Sequence, residues 1–304
     1  MSPQRFRTIT GSALVALVGI VITGVAVRLT GSGLGCSDWP TCEEGQLVAD
    51  LEIHAMIEFI NRVITGVVSV AVMAAVLGSL FRNPRRQDLV RLSLGLVAGV
   101  LGQIVLGAFV VLSHLNPWLV LWHLVVSMAL VANAVVLHAR AGYDPVPSAR
   151  PGRWYRWPIT VLTVAAIYIG SLVTGSGPHS GSRDGEVIER LPFDIASIAR
   201  VHGLTVAALV VTVIATLWHL HRTAAPAAEQ WRGRLVLTAL IAQAAIGYIQ
   251  YFNDVPALLV GFHVAGATLT WIAVLWFHLD LSPEPEEVRA NTVASDADDS
   301  ILVP

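Results

Sequence analysis

Val63-Ile-Thr-Gly-Val-Val-Ser-Val-Ala-Val-Met-Ala-Ala-Val-Leu-Gly-Ser-Leu80 is a run of 18 residues without a charge. A bilayer-spanning helix takes about 17–25 mostly apolar residues, so this run is long enough to cross. Comparable runs recur at Ile9–Val27, Leu92–Ser113, Pro117–Leu137, Trp157–Thr174, Val201–Trp218, Leu235–Phe252 and Val255–Leu279. The composition agrees with that count. Hydrophobic residues make up 55% of the 304 residues and charged residues 13%, with a mean hydropathy of +0.67. A soluble domain carries about 25% charged residues. Half that allowance cannot cover a water-facing surface, and the expected fold is an all-α polytopic membrane protein with eight transmembrane helices. Nucleic acid is excluded as a partner, because net charge is −2 and no basic run tracks a phosphate backbone.

Arginine placement sets the orientation, since short cytoplasmic loops hold the excess of basic residues. Arg5 and Arg7 precede the first span. Arg82, Arg85, Arg86 and Arg91 follow the second, Arg140, Arg150, Arg153 and Arg156 the fourth, and Arg222, Arg232 and Arg234 the sixth. All these loops fall on one side, against Arg28, Arg183, Arg190 and Arg200 on the other. The protein is expected in the cell membrane, multi-pass, with both termini cytoplasmic and the loops 30–50 and 175–194 facing outward. No small-x-small cleavage site follows the first span, which is read as uncleaved. The Glu/Asp/Pro-rich stretch 282–304 reads as a disordered acidic cytoplasmic tail.

The halves repeat. Thr30-Gly31-Ser32-Gly33 ends the first span and Thr174-Gly175-Ser176-Gly177 the fifth. At an offset of 140, Gln103 matches Gln243, Gly107 matches Gly247, His123 matches His263 and His138 matches His278; at 141, Asn61 falls on His202. Four spans return the chain to its starting side. The expected architecture is therefore two pseudo-twofold-related four-helix bundles: an N-terminal unit 1–140, a cytoplasmic linker 141–156, and a C-terminal unit 157–281.

Polar residues collect near the outer ends of the even-numbered spans. His54 and Glu58 open the second, His123 lies in the fourth, His202 opens the sixth and His263 lies in the eighth. At about 1.5 Å of rise per residue, all four histidines lie within roughly 12 Å of the outer surface. A lone membrane histidine is usually a packing or hydrogen-bonding residue. Four at one depth, two per half, suit axial ligation of heme iron between facing helices. Zinc suits them less, because each half lacks the cysteine or carboxylate ligands that would complete a tetrahedral set. His138, His278, His219 and His221 fall at the cytoplasmic interface and His114 and His179 by the outer loops.

Glu58 is the one carboxylate well inside an apolar span, where such a group costs on the order of 3 kcal/mol at the membrane centre. His54, Glu58 and Asn61 share a helix face. Glu58 reads either as an ion-pair partner of Arg62, four residues on, or as a carboxylate turned toward a cofactor pocket. Its repeat counterpart, Ala199, cannot ionise. Cys36 and Cys42, the only cysteines, lie in the first outer loop, where disulfides are permitted. They are expected to bond, as a loop staple or as a redox-active pair.

The stretch Arg28-Leu-Thr-Gly-Ser-Gly-Leu-Gly-Cys36-Ser-Asp-Trp-Pro-Thr-Cys42 resembles the first outer loop of heme A synthases. The Glu58 segment, Trp122-His123, Arg200-Val-His202 and Gly261-Phe-His263 resemble the same family. The resemblance covers almost all of the chain before the acidic tail. It implies an oxidoreductase that converts heme O to heme A by oxidising a methyl group to a formyl group. It implies heme b ligated by His202 and His263, substrate heme in the N-terminal half with His123 as an axial ligand, and Glu58 as the catalytic residue. Heme O synthase and an electron acceptor are implied partners. The family commonly carries Glu-x-x-His on the second span, where this chain has Glu58-Phe59-Ile60-Asn61; His54, two turns earlier on the same face, is the substitute ligand this suggests, the alternatives being a shifted heme or a site ligated by His123 alone. The competing functions are a bis-His cytochrome b passing electrons between quinol and an outer acceptor, and a heme transporter. Glu58 and the cysteine pair favour the enzyme.

Overall fold

A computed structural model describes residues 1–36, 38–42, 48–143, 153–183 and 188–279. Most of the expected linker and the whole acidic tail lie outside the described residues. Among the described residues eight helices follow one another, and each is long and apolar enough to cross a membrane: α1 (Pro3–Leu29), α2 (Ile53–Phe81), α3 (Gln87–Leu112), α4 (Pro117–Ala141), α5 (Arg156–Ser176), α6 (Ile195–Arg222), α7 (Ala227–Phe252) and α8 (Ala257–Leu279). There is no strand among the described residues. The protein is an eight-span membrane protein.

Helix ends follow local chemistry. Ser2 caps α1, Glu52 caps α2 by accepting from the Ala55 N–H at 3.1 Å, and Asp194 caps α6 by accepting from the Ser197 N–H at 2.8 Å. These bonds hold both carboxyls of Glu52 and Asp194 below the usual carboxylate range, chiefly through the Ala55 N–H and through Ser197. Helix α7 begins eight residues before the apolar run read from the sequence and α3 five. Both additions carry charged residues, Asp88 and Arg91 on α3 and Glu229, Arg232 and Arg234 on α7. Helix α8 instead begins two residues late. Asp254 and Val255 have φ of 57° and 55° ahead of Pro256, and the residue before a proline is turned away from helical conformation. His114 and Leu115, at the same repeat positions, have φ of 52° and 60° ahead of Asn116-Pro117. A left-handed non-glycine residue costs on the order of 1–3 kcal/mol. The same costly turn in both halves marks them as copies of one unit.

Packing completes the symmetry. Within the first bundle α1 lies against α2 and α4, and α3 against α2 and α4; α5–α8 repeat this pattern. Between bundles α1 touches α8, α4 touches α5, and α4 touches α8. The first two contacts exchange under the repeat and the third maps onto itself, as a pseudo-twofold axis between α4 and α8 requires. Trp271 on α8 donates its indole N–H to the Met128 carbonyl of α4 at 3.0 Å. The core runs along this seam through Leu17, Val131, Val135, Val274 and Phe277. Val15, Val70, Leu204 and Leu258 are exposed on the outer faces, as lipid-facing residues are. At the bundle end that carries the N-terminus Thr10 bonds His138 Nδ1 at 3.1 Å and Thr160 bonds His278 Nδ1 at 2.8 Å. The two interfacial histidines therefore tie α4 to α1 and α8 to α5.

Candidate functional site

His202 on α6 and His263 on α8 come together inside the C-terminal bundle. Their ring centres are 6.4 Å apart and their planes are 80° apart. Glycine makes the room: a Cβ at Gly170 on α5 would lie 3.1 Å from His202 Cε1, and one at Gly247 on α7 would lie 3.3 Å from His263 Cε1. The Nδ1 atom of each ring is buried without a hydrogen-bond partner, which ordinarily costs about 1–3 kcal/mol. Among the described residues no three His, Cys, Asp or Glu converge as a metal cluster, so the pair is a two-imidazole set. A metal–imidazole bond is about 2 Å long, so rings this close could share one metal ion, and His202 and His263 are the residues that would hold it.

In the N-terminal bundle the matching positions are partly different. His123 on α4 packs over Gly107 on α3, where a Cβ would lie 3.5 Å from its Cε1, and its Nδ1 is again buried without a partner. Gln103 donates to the His123 carbonyl at 2.9 Å and to Ser127 Oγ at 2.6 Å. Asn61 on α2 stands where His202 stands in the other half. Its Oδ1 accepts from Thr23 Oγ1 of α1 at 2.8 Å. Thr23, Ala26, Val27, Ile57, Ile60, Asn61 and Ile64 line an apolar cavity of about 180 Å³. His54 belongs to a different surrounding: its Nδ1 meets Ser32 Oγ of the outer loop at 3.0 Å. The only histidine–histidine ring pair among the described residues is His202–His263.

Glu58 is 5% exposed. Its Oε1 accepts from Arg62 at 2.6 Å and its Oε2 from the Cys36 backbone N–H at 2.8 Å. Of the two readings of Glu58 open in the sequence, the ion pair is present, and the carboxylate is also bonded to the outer loop. Cys36 and Cys42 are joined as a disulfide with Cα atoms 4.4 Å apart. Arg62 holds that loop from below, donating to the carbonyls of Asp38 at 3.0 Å, Pro40 at 3.3 Å and Thr41 at 2.8 Å. A Cβ on Gly35 would lie 2.3 Å from the His54 carbonyl oxygen, so only glycine lets the loop settle on the start of α2.

The profile of a family described as cytochrome oxidase assembly protein (COX15-CtaA) matches residues 46–275, three quarters of the chain. The chain belongs to that family, the heme A synthase family. A heme A synthase of Lysinibacillus sphaericus is 25% identical over 181 residues, 56% of this chain and 59% of the relative. One of Staphylococcus saprophyticus is 26% identical over 180 residues, 57% and 60%. One of Listeria welshimeri is 29% identical over 170 residues, 53% and 55%. The matched stretch thus spans less than two thirds of these relatives' length. The family match takes in Glu58, Asn61, His123, His202 and His263 but begins after Cys42, so the disulfide loop stands on its own geometry.

Three features of this family member were not visible from the sequence. Arg62 as the clamp on the outer loop is one; its carbonyl partners are 21 to 24 residues away and carry no side-chain signal. Arg28 is the second, donating to the carbonyls of Thr174 and His179 and so joining α1 to the end of α5 and the loop after it. The third is Glu229 in the first turn of α7. At 1% exposed it is buried more fully than Glu58, and it accepts from Tyr155 and Arg156 at 2.8 Å each and pairs with Arg153. The apolar run that begins at Leu235 left Glu229 looking like a loop residue. Among the outer-loop histidines, His179 Nε2 meets the Val255 carbonyl at 2.8 Å, and His114 sits in the left-handed turn.

Proposed function

We propose that this chain is a heme A synthase, an oxidoreductase that oxidises a methyl group of heme O to the formyl group of heme A. The unit 157–281 holds heme b between His202 and His263, and the unit 1–140 takes heme O at His123. The observation that carries the reading is the 6.4 Å spacing of two imidazoles cleared by glycines on facing helices, in a chain of this family. Heme b bound there supplies one-electron redox chemistry. The protein residues do the rest. His202 and His263 orient the ring from two sides. Glu58 offers a carboxylate for a proton or for developing positive charge at the N-terminal site, and the Cys36 N–H and Arg62 hold it in one orientation. No acid occupies the equivalent place in the other half, where Ala199 stands, which separates a reacting pocket from an electron-relaying one. The cell membrane is the proposed location, with cytoplasmic termini; heme O synthase and an electron acceptor are the proposed partners.

The test is heme extraction from a host that makes heme O but lacks its own heme A synthase. Heme A appearing on expression of this chain supports the reading. Accumulation of heme O and heme b alone, with the protein present in the membrane, points to the bis-His cytochrome b instead.

A further inference from the structure

We infer that the iron of a heme in the N-terminal bundle is ligated by His123 alone, with the side-chain amide of Asn61 facing its open side, so that this half holds a five-coordinate site and the other half a six-coordinate one. The inference rests on the heme reading above and concerns what the two halves do differently with it.

Two observations carry it. The first is position. The repeat superimposes Asn61 on His202 and His123 on His263, and the Gly107–His123 contact reproduces Gly247–His263. His123, His202 and His263 also share a buried, unpartnered Nδ1. His54 does not share it, being bonded at Nδ1 to Ser32. It lies seven residues before Asn61, roughly 10 Å of helix rise toward the outer surface, under the loop that Gly35 lays across its carbonyl.

The second is a matched change on the neighbouring helix. The residue four before the Thr-Gly-Ser-Gly end is Gly170 on α5 and Ala26 on α1. Gly170 is where His202 needs space. Ala26 lines the cavity beside Asn61, and the smaller amide leaves room for its methyl group. The α1–α2 corner of the first bundle is thus built consistently for Asn, with the Thr23 hydroxyl donating to Asn61 Oδ1 and so fixing the amide. Fixing Oδ1 on Thr23 leaves the amide N–H₂ as the group Asn61 can offer to a small ligand. An amide is a poor iron ligand and a good hydrogen-bond donor.

The experiment uses the full-length purified protein loaded with added heme b and reduced with dithionite. The expected result is a second heme per chain that is high-spin, binds carbon monoxide, is lost in His123→Ala and is kept in His54→Ala. The low-spin signal that depends on His202 and His263 serves as the internal sign of correct folding. Asn61→His combined with Ala26→Gly should convert the second heme to a low-spin, carbon monoxide-refractory form. A His123-dependent heme that is already low-spin in the native protein, and turns high-spin in His54→Ala, overturns the inference and makes His54 the ligand. Failure of the double variant to convert, with the C-terminal signal intact, overturns the placement of Asn61. Absence of any His123-dependent heme overturns the N-terminal heme reading itself, and the inference with it.

Discussion

The two bundles share nearly every structural device and part company at one corner. Both have the left-handed turn before their fourth helix, a glycine under the first histidine of that helix, and a threonine bonded to the histidine near its far end. At the corner between the first and second helices the C-terminal half has Gly170 and His202, and the N-terminal half has Ala26 and Asn61 with Thr23. Only the N-terminal half adds a buried carboxylate there, bonded to a disulfide loop through Cys36 and Arg62. The difference teaches that a duplicated scaffold can keep its packing fixed while one helix pair is changed for chemistry. Turn strain and the glycine under the fourth-helix histidine are shared because they set the backbone. Ligand and acid differ because they do not.

The comparison breaks most visibly at His263. Replacing His263 or His202 by Ala removes one of two ligands, and the low-spin heme b spectrum of the purified protein should disappear. Persistence of that spectrum in both single variants would mean that the paired rings do not hold the heme. Glu58→Gln should lower heme A formation by about 100-fold or more, the scale of a lost acid–base group, while the His202–His263 spectrum stays unchanged. Heme extraction reads the first and optical spectroscopy the second; normal heme A output would remove Glu58 from the chemistry and leave it as the structural partner of Arg62.

The corner itself offers a smaller and sharper contrast. Gly170→Ala puts a methyl group 3.1 Å from His202 Cε1. Overpacking of this kind costs about 1 kcal/mol, or roughly fivefold in heme retention, measured as heme loss to an apo-globin trap. Ala26→Gly at the matching position should leave heme retention unchanged. Equal effects of the two substitutions would deny that the halves differ in clearance. The smallest effect expected is at the helix caps. Glu52 and Asp194 are held below the usual carboxylate range by N–H donors at the starts of α2 and α6. A depressed folded-state value means that each cap stabilises above the ordinary carboxylate range and loses that contribution as pH falls through the lowered value. Hydrogen exchange at Ala55 and Ser197 should therefore quicken together, beyond the intrinsic pH trend, between about pH 5 and about pH 2. Protection that is flat across that range would show the caps to be unimportant.

The sequence by itself determined the eight spans, the fourfold-plus-fourfold repeat and the set of intramembrane histidines. These are local properties: span length follows from bilayer thickness, and repeat and depth follow from counting along a helix of known rise. Even Asn61 was visible as the odd member of its repeat pair. Tertiary structure decided what those residues meet. That His202 faces His263, that His54 turns to Ser32, and that Glu58 reaches the Cys36 N–H depend on how helices far apart in the chain rotate and pack. Arg62 and Glu229 show the limit most plainly. Their partners are backbone carbonyls of a folded loop in one case, and residues 73 to 76 positions away in the other. Nothing local marks such pairings, because a buried charge is stabilised by whatever donors the assembled bundle brings to it, and those are chosen only when the bundle closes.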